Sequence, residues 1–190
     1  MKERSELRKR ALVGREAIPV HLRDAFSQLI RKKTIEYLDS ISAKFVHTYL
    51  SFRSEVSTAG IIEDLFERGV KVAVPIVRGE PNEEYMVHSL LKDLDHFRPG
   101  KFGVPEPENV EEVSISDLDA VIIPIVAFDG FGMRLGYGKG YYDRFLSPLP
   151  TEVRRIGLAF SSQEMDIIPM LSHDQLMNII ITEQSNFILK

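Results

Sequence analysis

The chain has 190 residues, 44% of them hydrophobic and 27% charged, with a net charge of −4; that suits one globular domain with a sizeable core and lacks the basic excess of a dedicated nucleic-acid binder. Cysteine is absent, which excludes disulfides, thiol catalysis and thiolate metal sites. The charged start, Met1 to Arg10, has no signal-peptide core, and no apolar run approaches the ~18 residues that span a bilayer, so a cytoplasmic protein with no membrane partner is expected.

Residues 3–15 read as a short helix with a basic face, where Arg4, Arg8 and Arg15 fall close together and Leu7 and Ala11 lie on another side. Pro19 opens a second helix, a favoured place for proline. Its apolar stripe is Leu22, Phe26, Leu29, Ile30 and Tyr37, with Arg31, Lys32 and Lys33 outside. These two form an N-terminal helical segment, about 1–38, packing on the core of a single domain. Residues 43–50 read as a strand, followed by the polar loop Ser51–Ser57. Thr58 caps a third helix that Gly69 stops. Residues 70–74 form the next strand, ended by Pro75. Such a β-loop-α-β order is a crossover unit that builds parallel sheets.

Residues 85–88 read as a further strand and 97–107 as a proline- and glycine-rich surface loop. Strands follow at 120–126, 155–160 and 178–182, with a helix at roughly 138–147 between the first two. The runs at 120 and 178 do not alternate, as in strands covered on both faces. The fold class is therefore α/β: three α/β/α layers around a mostly parallel, Rossmann-like sheet. Ligands of such folds sit beyond the carboxyl ends of strands.

Five of the twelve glycines lie between Gly130 and Gly140, in a stretch that also carries Arg134 and Lys139. A buried strand running into a glycine turn with cations, then a helix, is a way to grip phosphate. Two familiar phosphate motifs fail on spacing. Lys139 is followed by Gly140 rather than Ser or Thr, and Gly136, Gly138 and Gly140 are spaced Gly-x-Gly-x-Gly rather than Gly-x-Gly-x-x-Gly. The plain alternative is a surface loop that turns a corner, with Tyr141 or Tyr142 as core residues.

The run Arg134-Leu-Gly-Tyr-Gly-Lys-Gly-Tyr-Tyr-Asp143 resembles the signature of the 5-formyltetrahydrofolate cyclo-ligase family. The resemblance extends to Leu7-Arg8, to Tyr49–Val56, to Pro124 with Phe128-Asp129, and to His173-Asp174 and Ile181–Glu183. It implies a monomeric CoA-transferase-like fold and an ATP-dependent ligase. The small-molecule substrates are reduced folate and ATP, and Mg2+ is required. By the same resemblance the formyl oxygen is phosphorylated, N10 attacks, and phosphate leaves as the ring closes.

Carried across by position, Arg134 and Lys139 are the catalytic groups that hold the ATP phosphates. Arg4, Arg8, Leu135, Gly136, Tyr137, Gly138, Gly140, Tyr141 and Tyr142 complete the nucleotide site. Leu50, Glu55 and Tyr137 meet the folate, and Asp143 and Asp174 hold the metal. Each has a bland counterpart: a solvated basic face for Arg4 and Arg8, helix caps or solvated charges for the aspartates, a core leucine and a loop charge for Leu50 and Glu55. The chain departs from the pattern at Arg4, where relatives commonly have Lys, at Ser172 and Asn178, where many have Glu and Asp, and at Tyr137, where some have Arg. Two other readings stand beside this one. A sugar-phosphate isomerase or acyl-transfer enzyme on a related scaffold would need no ATP. A nucleic-acid binding module would stack bases on the glycine segment's Arg and Tyr, against an acidic net charge.

Overall fold

Strands that are apolar on both sides must be covered on both sides, and the centre of this sheet is of that kind. In the computed structural model, which describes residues 2–81 and 83–189, Val72 to Val74, Ala120 to Ile123 and Ile179 to Ile181 are almost wholly shielded from solvent. In chain order the elements are α1 (Lys2–Ala17), α2 (Val20–Ser40), β1 (Phe45–His47), α3 (Ala59–Glu67), β2 (Lys71–Arg78) and β3 (Tyr85–Leu91). Then come the short pair β4 (Phe97–Pro99) and β5 (Pro105–Pro107), β6 (Ala120–Pro124) and the hairpin β7 (Ala127–Phe128) and β8 (Arg134–Leu135). The chain finishes with α4 (Tyr141–Leu146), β9 (Arg154–Leu158), β10 (Ile179–Ile181) and β11 (Asn186–Ile188).

Seven strands join in the order β11-β10-β9-β6-β1-β2-β3. The inner pairs are parallel and the outer strands β3 and β11 are antiparallel to their neighbours. From β1 the chain moves one way, to β2; from β6 it moves the other way, to β9 and β10. The β1/β6 junction is thus the topological switch point, where the loops leaving two adjacent strands diverge and open a crevice. One apolar cluster covers the sheet face under α2 and α3, with Ile30, Leu38, Ile61 and Ile62. A second, with Phe145, Leu146 and Leu149 of the α4 region, covers the other face. This three-layer arrangement is the one expected.

The structure corrects several local expectations. Ala11 lies on the same buried face of α1 as Arg4 and Arg15, not on another side, because residues seven apart stack one above the other on a helix. In α2 the inward face is Ser27, Ile30, Thr34, Ile35 and Leu38, while Leu22 and Leu29 are exposed. Arg31 and Lys33 are not free outside: Arg31 grips Asp64 of α3 with two bonds of 2.6 and 2.8 Å. Lys33 donates to the Thr182 and Glu183 carbonyls. Pro75 does not end β2. It pairs opposite His88, two residues past Ala73, the last β2 partner of β1, so no β1 ladder bond is lost. Within 97–107, read as a loop, β4 and β5 pair as a hairpin. Strand β11 lies in a stretch where no strand was expected. The helix expected at about 138–147 begins only at Tyr141, because Gly140 at φ +68° is not helical.

Two histidines lie beneath α4. His47 Nε2 and His88 Nδ1 are 3.1 Å apart, and the Phe145 ring packs 4.6 and 4.3 Å from the two imidazoles, centre to centre. Burial lowers both, His88 to about 4, and His47 well below its ordinary value with help from its neighbour. The sign follows: the folded state resists a proton that the unfolded chain accepts near 6.5, so this stability is full above 6.5 and is lost as pH falls toward 4. Replacing His88 with Gln is expected to flatten the loss of stability between pH 6.5 and 4.5. The slope should be shallower by up to about 1.4 kcal/mol per pH unit, read by urea denaturation at stepped pH.

Candidate functional site

The site forms where the loops leaving β1 and β6 face each other at the switch point. The first loop is tied shut. Tyr49 donates its hydroxyl to the Val56 carbonyl at 2.8 Å, and Ser51 and Thr58 exchange backbone-to-hydroxyl bonds across the loop. Leu50 is buried at its entrance in the core under α2 and α3. Inside the loop, Glu55 Oε2 accepts the Phe52 N–H at 2.9 Å. Its Oε1 accepts the Tyr137 hydroxyl at 2.9 Å. Burial raises the Glu55 carboxyl above its ordinary value; the Phe52 N–H, Tyr137 and the nearby Arg15 and Arg53 offset only part of that rise.

The second loop is organised by Asp129, which is buried. One of its oxygens accepts the Phe131 and Met133 N–H groups and the other accepts the Ile168 N–H. That bends the chain into the β7/β8 hairpin and delivers Arg134 to the crevice. Leu135, on the same hairpin, points into a third apolar cluster with Ala11 and Met165, so it can offer a ligand only its backbone. The segment then passes Gly136 to Gly140. Gly138 (φ +97°) and Gly140 (φ +68°) occupy left-handed backbone that other residues avoid. A side chain at Gly138 would begin 3.7 Å from the Arg8 guanidinium. Helix α4 has no side-chain cap, which leaves its first-turn N–H groups for another acceptor.

Helix α1 supplies the cations. Arg8 Nε donates to the Gly136 carbonyl at 2.8 Å; burial and the neighbouring Arg4 lower its proton affinity. Arg4 grips both oxygens of Asp174 and also the Pro169 carbonyl. Burial alone would raise the Asp174 carboxyl, but the Arg4 bonds and the Leu171 N–H outweigh it and hold it low. Arg134 is paired likewise: it reaches Asp143 Oδ1 at 2.9 Å and the Gln175 carbonyl at 2.6 Å. Lys139 is exposed, 4.0 Å from Glu84 and 5.9 Å from the Phe102 ring centre. Thus both aspartates face arginines, and among the described residues no group of three or more His, Asp or Glu could hold a metal ion.

Tyr142 stands between the two halves. Its buried hydroxyl has no partner among the described residues, and burial together with the Glu55 charge pushes it far above its ordinary value. The Tyr141 ring carries the Arg144 guanidinium 5.2 Å from its centre. Of the departures, Asn178 is a strand clamp, bonded to the Arg155 backbone through both its side chain and its N–H; Ser172 is exposed. Sequence reasoning missed Arg15 as a site residue. It is 2% exposed and donates to Ser54 Oγ at 3.0 Å and to the Tyr137 hydroxyl at 2.9 Å. Its place beside Arg4 and Arg8 on the helical wheel was the available signal.

The arrangement offers a cationic glycine turn against a carboxylate framed by aromatic hydroxyls. The family model described as the 5-formyltetrahydrofolate cyclo-ligase family matches residues 1–183. A 5-formyltetrahydrofolate cyclo-ligase of Mus musculus is 31% identical over 96% of this chain and 92% of its own. One from Mycolicibacterium smegmatis is 27% identical over 98% and 97%. The solved structure of Aquifex aeolicus 5,10-methenyltetrahydrofolate synthetase superposes with a TM-score of 0.84 at 28% identity, covering 98% of this chain and 93% of that one. A chain whose model match runs from the α1 arginines through the glycine segment to Glu183 belongs to the 5-formyltetrahydrofolate cyclo-ligase family.

Proposed function

We propose that the chain converts 5-formyltetrahydrofolate and ATP into 5,10-methenyltetrahydrofolate, ADP and phosphate. One observation carries the reading: two unlike half-sites meet at the β1/β6 crevice. On one side stand Arg8, Arg134 and Lys139 around left-handed glycines; on the other stands Glu55 under Tyr137. The first suits a triphosphate and the second a ring rich in N–H donors, which an ionised carboxylate accepts.

The chemistry asks little covalent work of the protein. The formyl oxygen attacks the γ-phosphorus and ADP departs with the electron pair. N10 then attacks the activated carbon, the formyl oxygen leaves within phosphate, and the N10 proton is released. Such a sequence depends on alignment and on neutralising phosphate charge. Arg8 bonds a carbonyl rather than a carboxylate, so its charge is free for a phosphate. Arg134 is held in place by Asp143 and the Gln175 carbonyl, and so is pre-aimed. Glu55 orients the folate ring, and Tyr142 brings its unpartnered hydroxyl between the two substrates.

The residues fit a magnesium ion carried on the triphosphate. Among the described residues Asp143 keeps Oδ2 free of hydrogen bonds, whereas both Asp174 oxygens are taken by Arg4 and Leu171. One carboxylate plus phosphates and waters is an ordinary magnesium set. Asp174 joins as a second ligand only if Arg4 releases it. Bound there, the ion would add charge neutralisation to that of the arginines. Protein partners and nucleic acid have no place in this reading.

The direct test mixes the protein with 5-formyltetrahydrofolate, magnesium and ATP and follows the methenyl absorbance, with ATP omitted as control. No product with ATP present would end the proposal. Lys139→Ala is expected to cut turnover about a hundredfold and leave unfolding within about 0.5 kcal/mol of the parent, since an exposed cation stabilises little. Glu55→Gln is expected to raise the folate KM about tenfold and the ATP KM by less than about twofold. Equal rises for both substrates would mean that Glu55 only shapes the loop.

A further inference from the structure

Arg15 is one of the largest fully buried side chains in the molecule, at 2% exposure. Among the described residues no carboxylate touches it. Its bonds go to Ser54 Oγ at 3.0 Å, the Tyr137 hydroxyl at 2.9 Å and, at a long 3.5 Å, the Ile125 carbonyl. A cation removed from water without an anion is costly, by several kcal/mol. The nearest negative charge lies one oxygen away, because the same Tyr137 hydroxyl reaches Glu55 Oε1.

The direction of those bonds is forced. A guanidinium can only donate, so Tyr137 must offer it a lone pair and turn its own proton toward Glu55. Glu55 then accepts at both oxygens, from Tyr137 and from the Phe52 N–H. Bonds accepted at both oxygens favour the ionised form and oppose the upward push of burial. Arg15 also bonds Ser54, the residue next to Glu55, so one side chain braces the turn and, through Tyr137, its charge.

We propose that Arg15, acting through the Tyr137 hydroxyl, is a positioning residue that keeps Glu55 ionised and aimed into the folate half of the site. The inference rests on the cyclo-ligase reading above, in which Glu55 meets the folate. The groups facing Glu55 are few. Arg53 lies on its own turn, Tyr137 on the glycine segment, Arg15 on α1, Tyr142 on α4 and Tyr49 beyond β1. Of the two cations, Arg53 is exposed and leans on the Phe52 ring at 4.9 Å, so water screens it. Arg15 is the one that water cannot screen. Burial drives Glu55 toward its neutral form, and the relay opposes that drive.

The test is steady-state kinetics of the full chain with both substrates varied, on Arg15→Met, Arg15→Lys, Tyr137→Phe and the double variant Arg15→Met with Tyr137→Phe. Arg15→Met and Tyr137→Phe should each raise the folate KM about tenfold, with the ATP KM within about twofold. The double variant should be no worse than Arg15→Met alone, because both changes cut one relay. The acid limb of the folate 1/KM profile should move to higher pH in both, and Arg15→Lys should restore part of the loss. An unchanged folate KM in Tyr137→Phe, equal rises in both KM values, or effects that multiply in the double variant would each overturn the proposal. Should Arg15→Met fail to fold, Tyr137→Phe decides alone, since it removes one oxygen from a half-exposed side chain. Glu55→Gln separates the two levels. If it leaves the folate KM unmoved, the folate assignment itself falls. If it raises that KM while Tyr137→Phe does not, only the relay falls.

Discussion

The site depends on a helix that turns its arginines inward. Residues 4, 8, 11 and 15 make one stripe along α1, and three of the four are arginine. A stripe of this spacing usually buries aliphatic side chains. Here Arg4 closes on Asp174, Arg8 on the Gly136 carbonyl and Arg15 on Ser54 and Tyr137. Only Ala11 fills apolar space, with Leu7 and Leu12 packing beside it. Guanidinium groups with fixed partners cost less to bury than free ones, and their planar forks fix direction as well as distance. The first helix is thereby a wall of the site and not an appendage to the sheet.

The switch point explains why the partners of that stripe are so far apart in the chain. Strands β1 and β6 run parallel, but the chain goes on to opposite sides of the sheet from them, so the loops after them diverge and leave a crevice that α1 crosses. Loop 51–57 brings Glu55 and the glycine segment brings Tyr137, and they meet at 2.9 Å. The same segment continues into α4, whose Phe145 rests on His47 and His88. Those neutral rings seat the helix that carries Tyr142 and Asp143. The apolar floor and the polar mouth of the crevice are thus joined through one short helix.

Charge is distributed with economy around the glycine segment. Arg4 and Arg134 are each matched by an aspartate, while Arg8 is matched only by a carbonyl dipole and Lys139 stands at the exposed rim. The matched pairs hold shape. The less matched cations are those that the proposed function assigns to phosphate. Among the described residues Asp143 keeps one oxygen free of hydrogen bonds, whereas both Asp174 oxygens are committed to Arg4 and the Leu171 N–H.

The sequence by itself determined the layers, since Ala120 to Pro124 and Ile179 to Ile181 are too apolar for any place but a covered sheet. It also marked Arg134 to Asp143 as a candidate site segment, because closely spaced glycines beside cations can turn backbone N–H groups toward an anion. Edge features escaped it: β4, β5 and β11 are short, and Pro75 reads as a stop unless the end of β1 is known. The inward face of α2 was misjudged because Ser27 and Thr34 are buried there while Leu22 and Leu29 are not, and hydropathy alone ranks them the other way. What only the tertiary structure decided is which charge meets which. Arg4 and Asp174 stand 170 residues apart, and Arg15 and Tyr137 stand 122 apart. No periodicity spans such distances. Charge has no preferred partner until folding removes the water between candidates, and then one geometry remains.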